Sequence, residues 1–149
     1  MRSAAAISEH LDTRTAGIEV AELLETAMAG PTDVVFVFAS FHHREALEFA
    51  IADIRRTLAP KTIIGVTTES VVGCDLELEG VAGLSAIAMH LPGVKLNAWT
   101  TTPKNPVPIS RPEAIPEWIG LKDDTKAVFF FADPFSTPIT RLLPALVHC

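Results

Sequence analysis

The sequence predicts an α/β protein, a layered sandwich whose largely parallel or mixed central sheet is flanked by helices, with a Gly-rich β-hairpin segment. Three observations predict this class. Over the first seventy residues, strand-like and amphipathic stretches alternate, which generates parallel strands through right-handed crossovers. Val34–Ala39 is an uninterrupted apolar run, typical of a strand covered on both faces. Beyond Leu76 the helical periodicity ends and Gly and small residues become frequent.

The first half of the chain contains three predicted strands and two predicted helices. Small residues at 3–8 predict a short strand, and apolar residues at helical spacing predict a helix over 13–29 that Gly30 and Pro31 end. After the strand at 34–39, apolar residues step by four, three and four positions from Leu47 to Leu58 and predict a helix that ends before Pro60. Residues 61–67 then predict a second buried strand.

The second half contains more strands and a Pro-rich segment. Residues 85–90 and 95–100 predict two strands joined by a Pro-Gly turn. Five prolines between 103 and 116 exclude a helix or a central strand and predict a stiff connection inside one domain that spans 1–149. Ala127–Ala132 predicts another buried strand, and a helix follows from about residue 139, with Thr137 as its N-cap residue.

The composition excludes several classes of protein. The 149 residues are 48% hydrophobic and 20% charged, which excludes wholesale disorder, and the net charge of −6 argues against a nucleic-acid partner. The two cysteines, Cys74 and Cys149, are too few for a disulfide scaffold or a four-cysteine zinc site. No signal peptide or bilayer-length apolar stretch is present, so we expect a cytoplasmic protein without a membrane partner.

Three polar loops follow predicted strands and are the candidate ligand site. They are Ser40–His43, Thr67–Gly73 and Asp133–Thr137. In open α/β sheets, ligands collect where strands end at their carboxyl side. Hydroxyl and amide donors here suit a ligand carboxylate, and Glu69 or Asp133 would accept from an ammonium, so an amino-acid-like zwitterion matches both. The alternative is structural, with the hydroxyls as helix caps and Asp133 in a turn.

Metal and cofactor chemistry have little support in the sequence. His42 and His43 are adjacent, point in different directions and lack a nearby third ligand, so we expect no metal site. The common nucleotide, zinc-protease and hydrolase motifs are absent, and we expect no cofactor and no catalytic residue. Two other functions stay open. One is a thiol-dependent acyl or amide hydrolase that uses Cys74 with His90 or His43. The other is a protein-interaction module, which the acidic surface and the Pro-rich segment would allow.

Several segments together resemble the N-terminal domain of the FIST family. The segments, in chain order, are Val35–His43, Ile64–Ser70 with Gly73, Glu79–Ala88 and Phe131–Ser136. The resemblance implies a sensory input module of a signalling protein that binds small ligands such as amino acids or related carboxylates. It places the ligand-binding positions at Ser40, Thr67, Thr68, Glu69, Ser70, Gly73, Asp133 and Phe135.

The resemblance also implies partners for this chain. Relatives continue into the rest of the N-terminal domain and a C-terminal FIST domain, so we expect an incomplete domain that works with a C-terminal FIST or signalling-output domain. Self-association would cover an exposed sheet edge or an apolar helix face, and we expect a homo-oligomer on that ground. One departure is at Val66–Thr68, where relatives more often have a Cys-Thr-Ser or Gly-Thr-Ser segment.

Overall fold

The structure is a computed structural model that describes residues 1–102, 104–133, 135 and 137–147. The chain divides into two compact units, residues 1–96 and 97–149, and each is described by itself. The first unit contains six strands and two α-helices: β1 (Arg2–Ser8), α1 (Thr13–Met28), β2 (Val34–Ser40), α2 (Leu47–Leu58), β3 (Thr62–Thr68), β4 (Ser70–Gly73), β5 (Leu76–Glu79) and β6 (Leu84–His90). A 3-10 turn at Phe41–His43 precedes α2.

The main sheet of the first unit has four strands in the order β1-β6-β2-β3. β2 and β3 pair in parallel, as their crossover through α2 requires. β6 lies between β1 and β2 and is antiparallel to both. The sheet is therefore mixed, which confirms the predicted α/β class and the parallel pairing of the strands that flank α2.

The core of the first unit lies between α1, α2 and one face of this sheet. The buried side chains from the sheet are small or β-branched, and those from the helices are mostly aliphatic: Ala6, Val35, Val37, Ala39, Leu84, Ala86, Ala88, Ala16, Val20, Ala21, Leu24, Met28, Ala50 and Ile54. Gly17 permits the close approach of the two helices, because a Cβ there would lie 2.6 Å from the Ala50 Cα. Gly65 plays a similar part in the sheet, since its Cβ would meet the Ile51 side chain.

The opposite face of the sheet carries the β4–β5 hairpin. Gly73 packs there against Ile7 and Ser85, and Cys74 begins the turn with a φ of 54°. The hairpin of this unit is at 70–79, with Gly73 as its one glycine, and the prediction of a hairpin between 85–90 and 95–100 is wrong: 85–90 lies in β6, but 95–100 is not a strand. Both edges of β6 are already occupied by β1 and β2, so no edge is left for a third partner.

The described residues of the second unit form two α-helices, α3 (Ile115–Ile119) and α4 (Ile139–Val147), a 3-10 turn at Pro112–Ala114 and a small apolar cluster. Ile115 and Ile119 are its buried members, packed among Trp99, Val107, Trp118, Leu121 and Leu146. The prediction that the prolines exclude a helix throughout 103–116 is wrong. Pro116 lies in the first turn of α3, where its missing N–H costs no helical hydrogen bond.

The C-terminal segments of the second unit bear on two further predictions. The helix predicted from about 139 is confirmed by α4. The buried strand predicted at Ala127–Ala132 is wrong, because this segment is irregular and Phe130 instead stacks on Trp99 with ring centroids 5.5 Å apart. None of the helices in the described parts of the chain is long and apolar enough to cross a membrane.

Candidate ligand site at the carboxyl ends of the strands

The strands β1, β2 and β3 all end at one edge of the sheet. β1 and β2 are both antiparallel to β6, and β3 is parallel to β2, so the three run in the same direction. Ser40 and Thr68 are register partners in neighbouring strands, and Ser8 ends β1. We call this the carboxyl edge, defined by Ser8, Ser40 and Thr68 and the segments that follow them. Two of the three candidate loops predicted from the sequence, Ser40–His43 and Thr67–Gly73, lie at this edge.

Ser40 is buried at the carboxyl edge and connects two parts of the sheet. Its Oγ accepts a hydrogen bond from the Gly83 N–H at 3.0 Å, and its own N–H donates to the Gly83 carbonyl at 2.8 Å. Its Oγ also lies 3.3 Å from the Nδ1 of His42. Its side chain caps no backbone N–H of the following 3-10 turn, and the N-cap residue of α2 is Ala46, so the reading of Ser40 as a cap of the second helix is wrong. The hydroxyl instead holds the segment that leads into β6 against the end of β2.

The predicted site residues at the end of β3 and just beyond it differ in whether their side chains are free to contact a ligand. Thr68 donates its hydroxyl to the Ser70 carbonyl at 2.7 Å, which shapes the connection into β4. Ser70 opens β4, and Gly73 packs against β1 and β6 at the other end of that strand. Thr67 and Glu69 are exposed. Of the predicted site residues in the first unit, Thr67 and Glu69 therefore have side chains that face solvent.

A buried histidine lies beside Ser40. His43 is fully buried, and its Nδ1 is 3.0 Å from the Thr13 hydroxyl at the start of α1. Its Nε2 is buried without a hydrogen-bond partner among the described residues. Burial lowers the pKa of His43, His42 lowers it further, and Asp12 opposes both. The imidazole is therefore kept neutral, and the turn after β2 is fixed to α1.

The 3-10 turn also lines a shallow, open depression that sequence reasoning missed. Its walls are Phe41, His42, Arg44 and Glu45. Phe41 is 56% exposed, and Arg44 lies 3.4 Å from the Glu45 carboxylate in an exposed ion pair. The depression places an aromatic ring, a guanidinium and a carboxylate beside the end of β2. The 3-10 turn brings these side chains together around the depression. No signal in the sequence predicts it, because Arg44 and Glu45 look like ordinary surface residues.

The remaining predicted site residues, Asp133 and Phe135, lie in the second unit. The Phe135 N–H donates to the Asp133 Oδ1 at 3.0 Å, and the Thr137 N–H donates to the Asp133 carbonyl at 2.9 Å. Asp133 thus forms a turn of the kind that its side chain favours. Phe135 is almost fully exposed, and Pro134 and Ser136 lie outside the described residues. The assignment of Asp133 and Phe135 to a ligand site stays a prediction.

The thiol-hydrolase alternative finds no catalytic pair in the described residues. The Cys74 thiol points to the Ala5 carbonyl, with the Sγ and O atoms 3.6 Å apart. His43 is bonded to Thr13, and the His90 Nδ1–H donates to the ionised Asp33 carboxylate at 2.9 Å. In the part of the chain that the structure describes, no hydrogen bond joins Cys74 to His43 or His90, and no group of three potential metal ligands occurs.

A second polar cluster lies at the opposite end of β2. The buried Asp33 is bonded to Lys61 at 2.6 Å, to the His90 ring at 2.9 Å and to the Leu91 N–H at 2.6 Å. The Lys61 ammonium and the Leu91 N–H, together with His90, lower the pKa of Asp33 to about 2 despite its burial. This carboxylate joins the ends of three strands and plays a structural part. No sequence pattern marks it, since its partners lie 28, 57 and 58 positions away.

The fold and the site define a mixed α/β domain with a polar carboxyl edge and no metal cluster or thiol-histidine pair in its described residues. A family model described as the FIST N domain matches residues 33–149, most of the chain. The chain belongs to the FIST family, whose members are sensory domains in signalling proteins, and the resemblance seen in sequence is confirmed. The comparisons with curated proteins and with solved structures each return no significant match.

Proposed function

We propose that this chain binds a small zwitterion, an amino acid or a related small carboxylate, at the carboxyl edge, as the sensory and non-catalytic input of a signalling protein. The observation that carries the proposal is the register of β2 and β3. Ser40 pairs with Thr68, so the polar segments after both strands are neighbours, although 27 residues separate them in sequence. The carboxyl ends of parallel strands are the usual position for ligands in sheets of this kind.

The charges at this edge fit a zwitterion. The Arg44 guanidinium presents donors in a planar fork that suits a carboxylate, and its side chain is 61% exposed. The exposed Glu69 carboxylate would accept from a ligand ammonium, and the Thr67 hydroxyl would donate to a ligand oxygen. Phe41 would cover the apolar part of the ligand. Ser40, Thr68 and His43 hold these segments in place through their own hydrogen bonds.

Binding at this edge would be transmitted by a shift in population between arrangements of the edge segments. A ligand moves such an equilibrium only by its difference in affinity for the two arrangements. The 3-10 turn and the connection between β3 and β4 carry the proposed contacts, so ligand would favour the arrangement in which both approach it. A C-terminal FIST or signalling-output domain would respond to that arrangement.

The test is a thermal-shift and calorimetry panel with the twenty amino acids and small carboxylates. A ligand at about 100 times its Kd stabilises the folded protein by about 2.7 kcal/mol, a visible shift. We expect Arg44→Gln and the double variant Thr67→Val/Glu69→Gln each to weaken binding about tenfold or more, because each removes a charge-assisted hydrogen bond. The matched control is Glu77→Gln, an exposed carboxylate on β5.

Three outcomes would contradict the proposal. No shift with any compound would remove the small-ligand function and leave the protein-interaction module as the better reading. Equal loss of affinity in the Glu77→Gln control would remove the carboxyl edge as the site. Turnover of an acyl or amide compound that disappears in Cys74→Ala would establish the thiol hydrolase instead.

A further inference from the structure

Four charged or titratable side chains form one row across the main sheet, at the end opposite to the carboxyl edge. Arg2 of β1 is the register partner of His90 in β6. The pairing of β2 with β6 and with β3, continued by one residue, places Asp33 between His90 and Lys61. We call Arg2, His90, Asp33 and Lys61 the charged row. Its members come from distant parts of the chain, and the sheet register brings them together.

The charged row lies on the face of the sheet that packs against α1 and α2. The residues two positions further into each strand belong to the core on that face or pack against it: Ala4, Ala88, Val35 and Ile63. Side chains alternate between the two faces of a strand, so residues two positions apart share a face. The row therefore continues the core face to the end of the sheet, where charged groups replace the aliphatic ones.

Asp33 fixes the orientation and the tautomer of the His90 ring. Its carboxylate accepts a hydrogen bond from the His90 Nδ1–H at 2.9 Å. The Lys61 ammonium and the Leu91 N–H, each 2.6 Å from the same carboxylate, hold it in place independently of His90. A neutral imidazole that donates from Nδ1 keeps its lone pair on Nε2. A carboxylate bound to the far nitrogen also makes that lone pair more basic.

The Nε2 atom of His90 is open to a reactant. The His90 side chain is 29% exposed, and none of the described residues forms a hydrogen bond with its Nε2. The Nε2 of His43, by contrast, is buried. An oriented imidazole with an open lone pair is one of the nucleophiles that proteins use in covalent chemistry. His90 therefore has the arrangement of a nucleophile, with Asp33 as the group that positions it.

The groups on either side of His90 match the charges that attack on phosphorus would create. The Arg2 guanidinium lies at the end of α1, where a Cβ built on Gly30 would be 2.7 Å from its Nη2. A guanidinium binds phosphate oxygens through paired N–H donors. Attack by Nε2 makes the His90 ring cationic, and the Asp33 carboxylate already lies against that ring. Fixed charges placed where charge develops are the main source of electrostatic stabilisation in such steps.

We propose that the Nε2 of His90 accepts a phosphoryl group from a phosphoramidate, a donor with a P–N bond, with Asp33 as a positioning residue and Arg2 as the phosphoryl-binding group. The Nε2 lone pair forms a bond to phosphorus while the P–N bond of the donor breaks, and the donor nitrogen leaves with that electron pair, as ammonia from phosphoramidate itself. The Nδ1 proton stays on the ring and is held by Asp33. One P–N bond replaces another, so the step needs no further reactant.

The test is the rate of phosphoryl transfer from phosphoramidate to the whole chain, followed by intact mass and by phosphorus NMR. Tandem mass spectrometry locates the modified histidine. His10 is the internal control, because it is exposed and meets Glu19 through Nε2, at 3.8 Å, instead of through Nδ1. We expect His90 to gain the group about tenfold or more faster than His10, because only His90 has a carboxylate on Nδ1. Labelling of His90 no faster than that of His10 would overturn the proposal.

Two substitutions test the flanking charges. Asp33→Asn removes the charge that stabilises the cationic ring, and Arg2→Gln removes the charge beside the phosphoryl oxygens, so each should slow the labelling of His90 about tenfold. Arg14→Gln is the matched control, because it removes an exposed guanidinium from the start of α1, at the other end of the sheet, and should have no effect. An unchanged rate in Asp33→Asn or Arg2→Gln, or equal slowing in Arg14→Gln, would overturn the assignment.

The tautomer of His90 provides a test on the unaltered chain. Nitrogen NMR of the imidazole distinguishes the ring nitrogen that carries the proton from the one that carries the lone pair. We expect the proton on Nδ1 in the wild-type chain at mildly alkaline pH, and a weaker preference in Asp33→Asn. A wild-type ring protonated at Nε2 would have no open lone pair and would overturn the proposal. Because the charged row and the carboxyl edge lie at opposite ends of the strands, either result leaves the ligand experiment unaffected.

Discussion

Replacing Ser40 with alanine tests whether the carboxyl edge is built as described. The Ser40 Oγ accepts the hydrogen bond of the buried Gly83 N–H, so the variant Ser40→Ala leaves that donor without a partner. A buried donor that loses its acceptor costs about 1–3 kcal/mol. With urea m-values of about 1–3 kcal/mol per molar for small proteins, the midpoint should fall by about 1 M. The Gly83 amide should also lose its protection from hydrogen exchange.

The assay follows urea unfolding by far-ultraviolet circular dichroism, which reports on the whole chain. Trp99 and Trp118 both lie in the second unit, so their fluorescence reports separately on residues 97–149. Ser3→Ala is the control, because it removes an exposed hydroxyl from β1. The reasoning is refuted if Ser40→Ala costs no more than Ser3→Ala, or if Gly83 exchange is unchanged. Either result would mean that the hydroxyl does not hold Gly83.

Three further results are expected. Gly17→Ala should destabilise the protein by about 1–3 kcal/mol in denaturant unfolding, because the new methyl group would collide with the Ala50 backbone and force α1 and α2 apart; an unchanged midpoint contradicts this packing. Asp33 has a folded pKa of about 2, below its unfolded value, so its stabilisation is present above about pH 4 and is lost as pH falls toward 2; acid unfolding of Asp33→Asn should lack this loss. The pKa of His43 is lowered in the folded protein, so the unfolded chain takes up the proton first and the free energy of unfolding falls as pH drops below about 6.5. His43→Gln should reduce this pH dependence of the free energy of unfolding. An unaltered pH dependence would assign the titration to another group.

Local patterns were enough to predict most elements of the first unit. The apolar spacing from Leu47 to Leu58 and the prolines and glycines around the helices reproduce α1 and α2 to within a residue. The buried runs reproduce β2 and β3 equally well. Periodicity succeeds here because each element buries a regular stripe or face against one core. Their parallel pairing followed from the crossover alone.

Pairing between distant segments is where sequence reasoning failed. The pattern at 95–100 looked like a strand, but both edges of β6 are taken by β1 and β2. Residues 70–73 belonged to a predicted loop, yet they form a hairpin with β5 once Gly73 can pack on Ile7 and Ser85. A strand depends on a partner backbone, whose identity is a property of the assembled sheet.

The sequence by itself determined the α/β class, the helices, the parallel pair and the polar segments that end its strands, because these depend on residues close together in the chain. The tertiary structure decided what each polar group does. It assigned Ser40 to Gly83, buried His43 against Thr13, and left Thr67 and Glu69 exposed. Ser40 and Gly83 are 43 residues apart, and His43 and Thr13 are 30 apart. Such contacts exist only after the core between the sheet and its helices has brought distant segments together.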